Sequence, residues 1–312
     1  MILDEILAHK RQEVELRRSK CPLDVLEAMI SRRMSAIGEV RGSVFRDDAG
    51  PSRGTTDARP RSGYAVSHGE TSLGGESGAI VQSRSFLRAL RQPGVAVIAE
   101  FKRKSPSGGE LRPGASPAHM ATLYVENGAA ALSVLTDETY FGGADDDLVQ
   151  ARAASGLPVL RKDFVVDPYQ VYEAGAIGAD ALLLIVRALT DLELQSLLEL
   201  TDKLHMDALV ETHSAEEVHR ALDAGARVIG VNNRDLDTLQ TDVTLAPRLR
   251  PLVPQECVFV AESGVSSPEQ IARLLEVGAD AALIGESLLR SNDPGQHLRR
   301  LVAAGAPRGI QA

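Results

Sequence analysis

Residues 95–109, VAVIAEFKRKSPSGG, begin as a continuous apolar run and then change abruptly to charged residues and a loop rich in Ser, Pro and Gly. An unbroken apolar run is typical of a parallel strand that is buried on both faces. Glu100, Lys102 and Lys104 follow the run directly. Charges at the end of a buried strand are costly to desolvate unless they pair or bind a ligand. The stretch therefore predicts either a strand-end salt bridge or a binding site.

Short apolar runs recur along the rest of the chain, separated by amphipathic helical patterns. With residues 95–99 as the first, the others lie at residues 131–135, 157–160, 181–186, 207–210, 227–231, 258–261 and 281–284. Strands that alternate with helices predict right-handed crossovers and a parallel sheet. This pattern indicates the α/β class and a closed (β/α)8 TIM barrel. An open doubly wound sheet is the alternative, but no GxGxxG fingerprint follows the first strand.

A Gly-Ala pair precedes every second strand. The pairs begin at Gly128, Gly178, Gly225 and Gly278. Glycine suits a left-handed residue that ends a helix, and the small neighbour allows the helix to lie close to the sheet. The repeat supports a barrel built from pairs of strand–helix units.

The chain divides into three parts by composition. Residues 1–37 predict N-terminal helices of the barrel domain, with helices at 3–18 and 23–34, and residues 85–312 predict the (β/α)8 catalytic barrel. Residues 38–84 are rich in Gly, Ser, Arg and Asp without periodicity, which predicts a low-complexity, disordered insertion. We expect this insertion to loop out without blocking the barrel.

Composition limits the partners and the compartment. A net charge of -9 argues against a nucleic-acid surface, and the chain has no apolar run long enough for a membrane span. The two cysteines, Cys21 and Cys257, form no CxxC pair, and the histidines show no ligand spacing, so no metal site is expected. These features predict a soluble, cytoplasmic protein.

The carboxyl ends of the predicted strands carry most of the charged candidates. Glu100 and Lys102 follow the first strand, Lys162 the third, Glu211 the fifth and Asn232 the sixth. In a TIM barrel these ends meet at one mouth, so the lysines are expected to lower each other's pKa against the opposing carboxylates. An ammonium could then act as a general acid and a carboxylate as a base. The alternative is a set of structural cations that neutralise Glu100 and Glu211.

Two glycine turns follow the last two strands. Ser263-Gly264 and Gly285-Glu286 bring backbone N–H groups to the place where TIM barrels bind phosphate. Ser105 in the first loop is a third candidate. The turns predict a small phosphorylated ligand.

Six motifs in order, AEFKRKSPSGG, LRKDF, LVETH, GVNNRDL, AESGV and LIGESLL, resemble the indole-3-glycerol-phosphate synthase family of tryptophan biosynthesis. The resemblance covers residues 1–35 and 85–305. It implies a carboxy-lyase without a cofactor, which closes 1-(2-carboxyphenylamino)-1-deoxyribulose 5-phosphate to indole-3-glycerol phosphate and releases carbon dioxide and water. It also implies a small-molecule sugar-phosphate substrate, and we expect a monomer, with contacts to other enzymes of the pathway left open.

Carried over motif by motif, the resemblance assigns roles to particular residues. Lys162 resembles the general acid at the substrate carbonyl, and Glu211 resembles the acid/base carboxylate of the dehydration. Glu100 and Lys102 resemble a pair that holds and orients the intermediate, and Asn232 resembles the residue that orients a substrate hydroxyl. The residues that resemble substrate contacts are Lys104, Ser105, Phe164, Arg234, Leu236, Ser263, Gly264 and Gly285. Glu286 departs from relatives with Ser at this turn, and its carboxylate is expected to point away from the phosphate.

Other functions fit parts of the pattern. A Schiff-base aldolase would use Lys162 as its nucleophile. Phosphoribosylanthranilate isomerase is a neighbouring barrel family, but its catalytic cysteine has no counterpart at the first strand here. A catalytically inactive barrel that serves as a binding scaffold is the remaining alternative, and the intact strand-end residues argue against it.

Overall fold

Eight parallel strands form a closed barrel in which each strand pairs with its neighbours in the chain and the last pairs with the first. The computed structural model describes residues 2–44 and 85–307, and only the backbone of residues 36–44. The strands are Ala96–Phe101 (β1), Ala131–Leu135 (β2), Val159–Lys162 (β3), Ala181–Ile185 (β4), Asp207–Thr212 (β5), Val228–Asn232 (β6), Val258–Glu262 (β7) and Ala281–Ile284 (β8). The predicted TIM barrel is confirmed, with strand bounds within two residues of the apolar runs.

Helices precede the barrel and follow its strands. They are Ile2–Lys20 (α1), Leu23–Val44 (α2), Phe86–Leu90 (α3), Pro117–Glu126 (α4), Glu138–Phe141 (α5), Asp145–Ser155 (α6), Pro168–Ile177 (α7), Asp191–Lys203 (α8), Ala215–Asp223 (α9), Leu245–Leu249 (α10), Pro268–Glu276 (α11), Glu286–Arg290 (α12) and Pro294–Gly305 (α13). Short 3-10 turns follow β4 and α10, and a small antiparallel hairpin pairs Lys104–Ser105 with Gly109–Glu110 after β1.

Local sequence explains where these helices begin and end. Thr190 and Ser267 each form a capping box, in which the hydroxyl accepts from the backbone N–H three residues on and that residue's side chain accepts in return. The four glycines of the Gly-Ala repeat have φ between 75° and 93°, the left-handed conformation that the sequence predicted. Each glycine therefore lets the chain leave the preceding helix and turn toward the next strand.

Alternation along each strand sorts side chains between two cores. On β1, Val97, Ala99 and Phe101 pack outward against the helices, and Ile98 packs inside the barrel. Phe86 and Leu90 of α3 are fully buried in the same interior cluster as Ile98. Because Glu100 and Lys102 share the inward parity of Ile98, the apolar filling of the barrel leads directly to charged residues at the mouth.

The N-terminal region differs in one respect from the sequence expectation. Helix α2 continues to Val44, ten residues beyond the predicted end at residue 34. The chain divides into one unit of Met1–Ile30 with Ser83–Ala312 and a second of Ser31–Gln82. The second unit is described only over its helical residues 31–44, so most of the predicted insertion, residues 45–84, lies outside the described residues. Across the described helices, none is both long enough and apolar enough to cross a membrane.

Candidate active site

The inward-facing residues at the carboxyl ends of the strands form one polar mouth. They are, by strand, Glu100 with Lys102, Leu135, Lys162, Ile185, Glu211, Asn232, Glu262 and Gly285. All of them line a single cavity of about 590 Å³. Apart from Lys102, which lies four residues beyond Ile98, each follows an inward-facing position of its own strand by two residues, so the strand period of two turns these side chains toward the mouth.

Lys162 stands between two carboxylates at the centre of the mouth. Its Nζ donates to Glu211 Oε2 at 3.0 Å and to Glu262 Oε2 at 2.6 Å. The lysine side chain is 13% exposed and the two carboxylates are almost fully buried. Glu262 Oε1 has no hydrogen-bond partner among the described residues. The three side chains therefore form a buried group in which one lysine pairs with two carboxyl groups.

The pKa values of this group are shifted by burial and by the shared cation. Burial by itself would lower the pKa of Lys162, but Glu211 and Glu262 outweigh burial and raise it. The expected lowering of its pKa by Lys102 is therefore wrong for Lys162, because two carboxylates are closer. Burial raises the pKa of Glu262, and the nearby Glu211 charge raises it further against Lys162.

Glu211 is shifted in the opposite direction from Glu262. Burial would raise the pKa of Glu211, but the charges of Lys162 and His213 outweigh burial and lower it. The side chain of Asn232 also donates to this carboxylate and lowers the pKa further. Two carboxylates on one lysine thus differ in proton affinity, which is the arrangement that assigns acid and base roles to paired groups.

Glu100 and Lys102 form a second ion pair on the first strand. A Cβ at Gly285 would lie 2.4 Å from Glu100 Oε1, so the turn after β8 has room for this carboxylate only because residue 285 is glycine. Tyr124 Oη donates to the backbone carbonyl of Glu100 at 3.3 Å. The pair is held beside the glycine turn of the last strand.

The turn after β7 has an unusual backbone. Ser263 and Gly264 both have positive φ, 60° and 77°, and this left-handed conformation is uncommon for a residue other than glycine such as Ser263. Asn233 Nδ2 donates to the Ser263 carbonyl at 3.0 Å and fixes this turn against the end of β6. Ser105 Oγ accepts from Gly108 N at 3.0 Å in the loop after β1. Ser263, Gly264 and Ser105 all line the cavity.

The loop after β6 separates structural side chains from cavity-facing ones. Asn233 Oδ1 accepts from Ala246 N, so this residue supports turns, whereas Asn232 lines the cavity. Arg234 Nη2 lies 3.4 Å from Glu286 Oε2, and Arg290 Nε lies 3.0 Å from Glu286 Oε1. The carboxylate of Glu286 therefore joins two arginines at the edge of the cavity.

An apolar wall faces these charges. Phe164 and Phe141 lie with ring centroids 6.2 Å apart, and Leu236 lines the cavity beside them. Leu3 and Ile6 bring the first turns of α1 to the same cavity. The combination of an aromatic and apolar wall with a charged rim suits a ligand that has both an aromatic ring and anionic groups.

All residues that the sequence predicted for the site line this cavity except Lys104. Its Nζ donates to the Thr139 carbonyl at 2.8 Å, because the hairpin after β1 turns the side chain toward the α5 loop. The sequence assigns Glu262 no role, although the motif AESGV places this carboxylate beside Ser263 at the end of a strand. The geometry adds it to the candidate catalytic residues.

A second residue without a role in the sequence analysis is Lys10. Its side chain is 2% exposed, and Nζ lies 2.8 Å from Asp137 and 2.9 Å from Asp163, the residue after Lys162. Lys10 falls on the apolar stripe of α1 with Leu7 and Val14, and a lysine on a buried stripe is a signal for an internal ion pair. Within residues 2–44 and 85–307, no group of three or more metal-ligating side chains could hold a metal ion.

Comparisons with known proteins agree with the motifs. Residues 66–301 match the family described as indole-3-glycerol phosphate synthase. The indole-3-glycerol phosphate synthase of Kineococcus radiotolerans is 53% identical over 225 residues, 72% of this chain and 82% of the relative. That of a Parafrankia species is 50% identical over 248 residues, 78% of this chain and 92% of the relative. In fold, thiamine phosphate pyrophosphorylase from Pyrococcus furiosus superposes with a TM-score of 0.51 at 16% identity, over 67% of this chain and 94% of that one.

Proposed function

The chain belongs to the indole-3-glycerol phosphate synthase family, and we propose that the polar mouth of its barrel is the active site of that reaction. The enzyme closes the indole ring of 1-(2-carboxyphenylamino)-1-deoxyribulose 5-phosphate. A bond forms between the ring carbon that bears the carboxylate and the ribulose carbonyl carbon, carbon dioxide leaves, and the new hydroxyl departs as water. The single observation that carries the assignment of the site is Lys162 held between Glu211 and Glu262.

Lys162 is the proposed proton donor at the carbonyl. Because two carboxylates raise its pKa, the ammonium stays charged over the working pH range. A fixed, desolvated ammonium stabilises the negative charge that develops on the carbonyl oxygen as the ring carbon attacks. The same proton completes the new hydroxyl.

Glu211 and Glu262 are the proposed acid/base pair of the dehydration. Glu211, with its lowered pKa, is anionic and can accept the proton lost as the ring double bond forms. Glu262, with its raised pKa, can hold a proton near neutral pH and deliver it to the departing hydroxyl. The two roles follow from the two opposite shifts.

Glu100 and Lys102 are the proposed second polar pair, on the side of the cavity next to Gly285. Lys102 can pair with the substrate carboxylate before carbon dioxide leaves, and Glu100 keeps the lysine oriented. Asn232 donates to the Glu211 carboxylate and can orient that carboxylate toward a substrate hydroxyl. These contacts hold the reacting carbons together, which is the main source of rate in a ring closure.

The phosphate and the aromatic ring have separate proposed places. The left-handed turn at Ser263 and Gly264, the turn at Gly285 and the Ser105 loop form the phosphate grip. Phe164 and Leu236 form the wall for the anthranilate ring. Arg234 lies at the phosphate edge, where Glu286 balances its charge until an anion binds.

The surroundings of the site support the remaining assignments. We propose that the protein acts as a monomer on a small sugar phosphate, with the proposed groups at one mouth of one barrel. The free thiols Cys21 and Cys257 suit the reducing cytoplasm. A Schiff-base aldolase is disfavoured because a nucleophilic lysine needs a lowered pKa, and that of Lys162 is raised.

The test is substitution of Lys162 in an assay of indole fluorescence with the carboxyphenylamino-deoxyribulose phosphate. We expect Lys162→Ala to lower kcat by at least about a thousandfold, or ~4 kcal/mol of transition-state stabilisation. Lys203→Ala, at the exposed end of α8, is the matched control and should leave kcat unchanged. Thermal unfolding of both variants separates lost chemistry from lost folding. Turnover within tenfold of wild type would remove Lys162 from its proposed role.

A further inference from the structure

A line of alternating charges leads from Lys162 away from the cavity. Glu211 follows Lys162, and His213 Nε2 lies 3.5 Å from Glu211 Oε1. On the far side of the imidazole ring, Nδ1 lies 3.3 Å from Glu217 Oε2. Glu217 Oε1 accepts in turn from Arg187 Nε at 3.2 Å. Neither His213 nor Glu217 nor Arg187 lines the cavity, so none of them touches the substrate.

Local structure fixes this line of residues. His213 shares the inward parity of Glu211, two residues earlier on β5, and it lies at the turn into α9. Ser214 is the N-cap of α9 and accepts from Glu217 N, while the Glu217 carboxylate accepts from His213 N at 2.7 Å. Glu217 therefore holds both the backbone and the ring of His213.

The surroundings of His213 favour its charged form. Its side chain is only 3% exposed, and burial by itself would lower the imidazole pKa. The hydrogen bond to Glu217 and the charges of Glu211 and Glu217 outweigh burial and the opposing Arg187, so the pKa is raised. No hydrogen-bond partner of Nε2 is present among residues 2–44 and 85–307. His213 Nε2 lies 3.5 Å from Glu211 Oε1 without a hydrogen bond to it, so the ring acts on this carboxylate through its charge.

We propose that His213 is a positioning residue that keeps Glu211 ionised and its carboxylate oriented toward the substrate, with Glu217 and Arg187 holding the imidazole in place. The proposal rests on the function assigned above, in which Glu211 is the base of the dehydration. Lys162 contacts both carboxylates, so its charge by itself does not select Glu211 as the anion. His213 supplies a second positive charge on the Glu211 side only, and this asymmetry leaves the proton on Glu262.

The proposal predicts a pH-dependent defect. Glu211 and Glu262 titrate as a pair, and the active form of the pair carries one proton, on Glu262 rather than on Glu211. Loss of the imidazolium removes the charge that favours the Glu211 anion, so the shared proton should move toward Glu211 and kcat/KM should fall. Above the pKa of His213 the wild-type ring is itself neutral, so the wild type and a neutral variant then carry the same charge.

The experiment compares His213→Asn with wild type from pH 5.5 to 9.5 in the fluorescence assay. We expect kcat/KM of the variant to be lower by roughly tenfold at pH 6, equivalent to about one pKa unit, and equal within about twofold at pH 9.5. His219→Asn, on the exposed face of α9, is the matched control and should follow the wild-type profile.

Glu217→Gln provides a second test that keeps the acceptor for the His213 backbone. It removes the Glu217 charge that favours the protonated ring, so kcat/KM at pH 6 should fall in the same way as for His213→Asn but by a smaller amount. The proposal would be overturned if a folded His213→Asn or Glu217→Gln variant lost kcat/KM equally at every pH, or lost none at pH 6. A wild-type enzyme that forms no indole product would instead overturn the assigned function, so the two failures are distinguishable.

Discussion

At the scale of single residues, two consecutive cations on one strand have different roles, one in the fold and one in the site. Arg161, Lys162 and Asp163 follow one another at the end of β3. Lys162 points inward to the cavity, whereas Arg161 is fully buried on the helix side, where it pairs with Asp145 and Glu173. The period of two along a strand therefore decides which cation meets the substrate and which one supports the fold.

Glu262 offers a prediction at this scale. Glu262→Gln keeps the shape of the side chain but removes the ionisable group that is proposed to deliver a proton to the departing hydroxyl. We expect kcat to fall by at least about a hundredfold, or ~2.7 kcal/mol. Single-turnover measurements should place the loss after carbon dioxide release, in the dehydration. Glu256→Gln on the exposed loop before β7 is the control, and a Glu262 variant with unchanged kcat would contradict the acid/base assignment.

At the scale of elements, α1 is attached to the barrel mouth by buried charges. Lys10 pairs with Asp137, which caps α5, and with Asp163, which also accepts from Thr136 Oγ1 and Phe164 N. The same helix contributes Leu3 and Ile6 to the cavity wall. Lys10 thus connects α1 with the start of α5 and with the end of β3, the strand that carries Lys162.

Lys10→Met tests this attachment. The variant removes the nearest cation from two buried carboxylates, although Arg161 stays 3.6 Å from Asp163. Breaking a buried pair in this way costs about 3–5 kcal/mol of unfolding free energy. KM should rise as well, because the cavity wall loses its support. Lys20→Met, exposed at the end of the same helix, is the control for denaturant unfolding and kinetics. Unchanged stability and KM would show that α1 is held by its apolar contacts alone.

The stabilisation by Lys10 has a defined pH range. Burial would raise the pKa of Asp163, but Lys10 and Arg161 outweigh burial and lower it to about 2. A carboxylate with a folded pKa below its unfolded value stabilises the protein above the unfolded pKa and loses that contribution as the pH falls through the folded one. The stability difference between wild type and Lys10→Met should therefore be greatest above about pH 5 and shrink toward pH 2.

At the scale of the whole molecule, the barrel separates stability from chemistry. Phe86 and Leu90 of α3 are fully buried in the interior cluster with the inward apolar residues of the strands. The charged residues lie at the carboxyl ends of the strands. In a TIM barrel the two ends can change independently, because the packed interior lies between them.

Phe86→Ala tests this separation. Removal of a fully buried ring should lower the unfolding free energy by about 3–5 kcal/mol through lost burial and a residual cavity. We expect kcat and KM of the folded variant at 25 °C to stay within about twofold of wild type, since no cavity-lining residue changes. Denaturant unfolding and the fluorescence assay measure the two effects separately. A large change in kcat would show that the interior transmits strain to the mouth.

The sequence by itself determined the strand–helix alternation, the glycine helix ends and the family motifs, because these depend on local period and on residue type. It also brought nearly all of the proposed site residues to one mouth, since the carboxyl ends of parallel strands must converge. Only the tertiary structure decided how the charges pair. Lys162 pairs with Glu262, 100 residues later in the chain. Lys104 turns away from the cavity, and Lys10 on α1 pairs with Asp163 after β3. Pairing depends on distance and desolvation in the folded state, and neither quantity is encoded in local sequence.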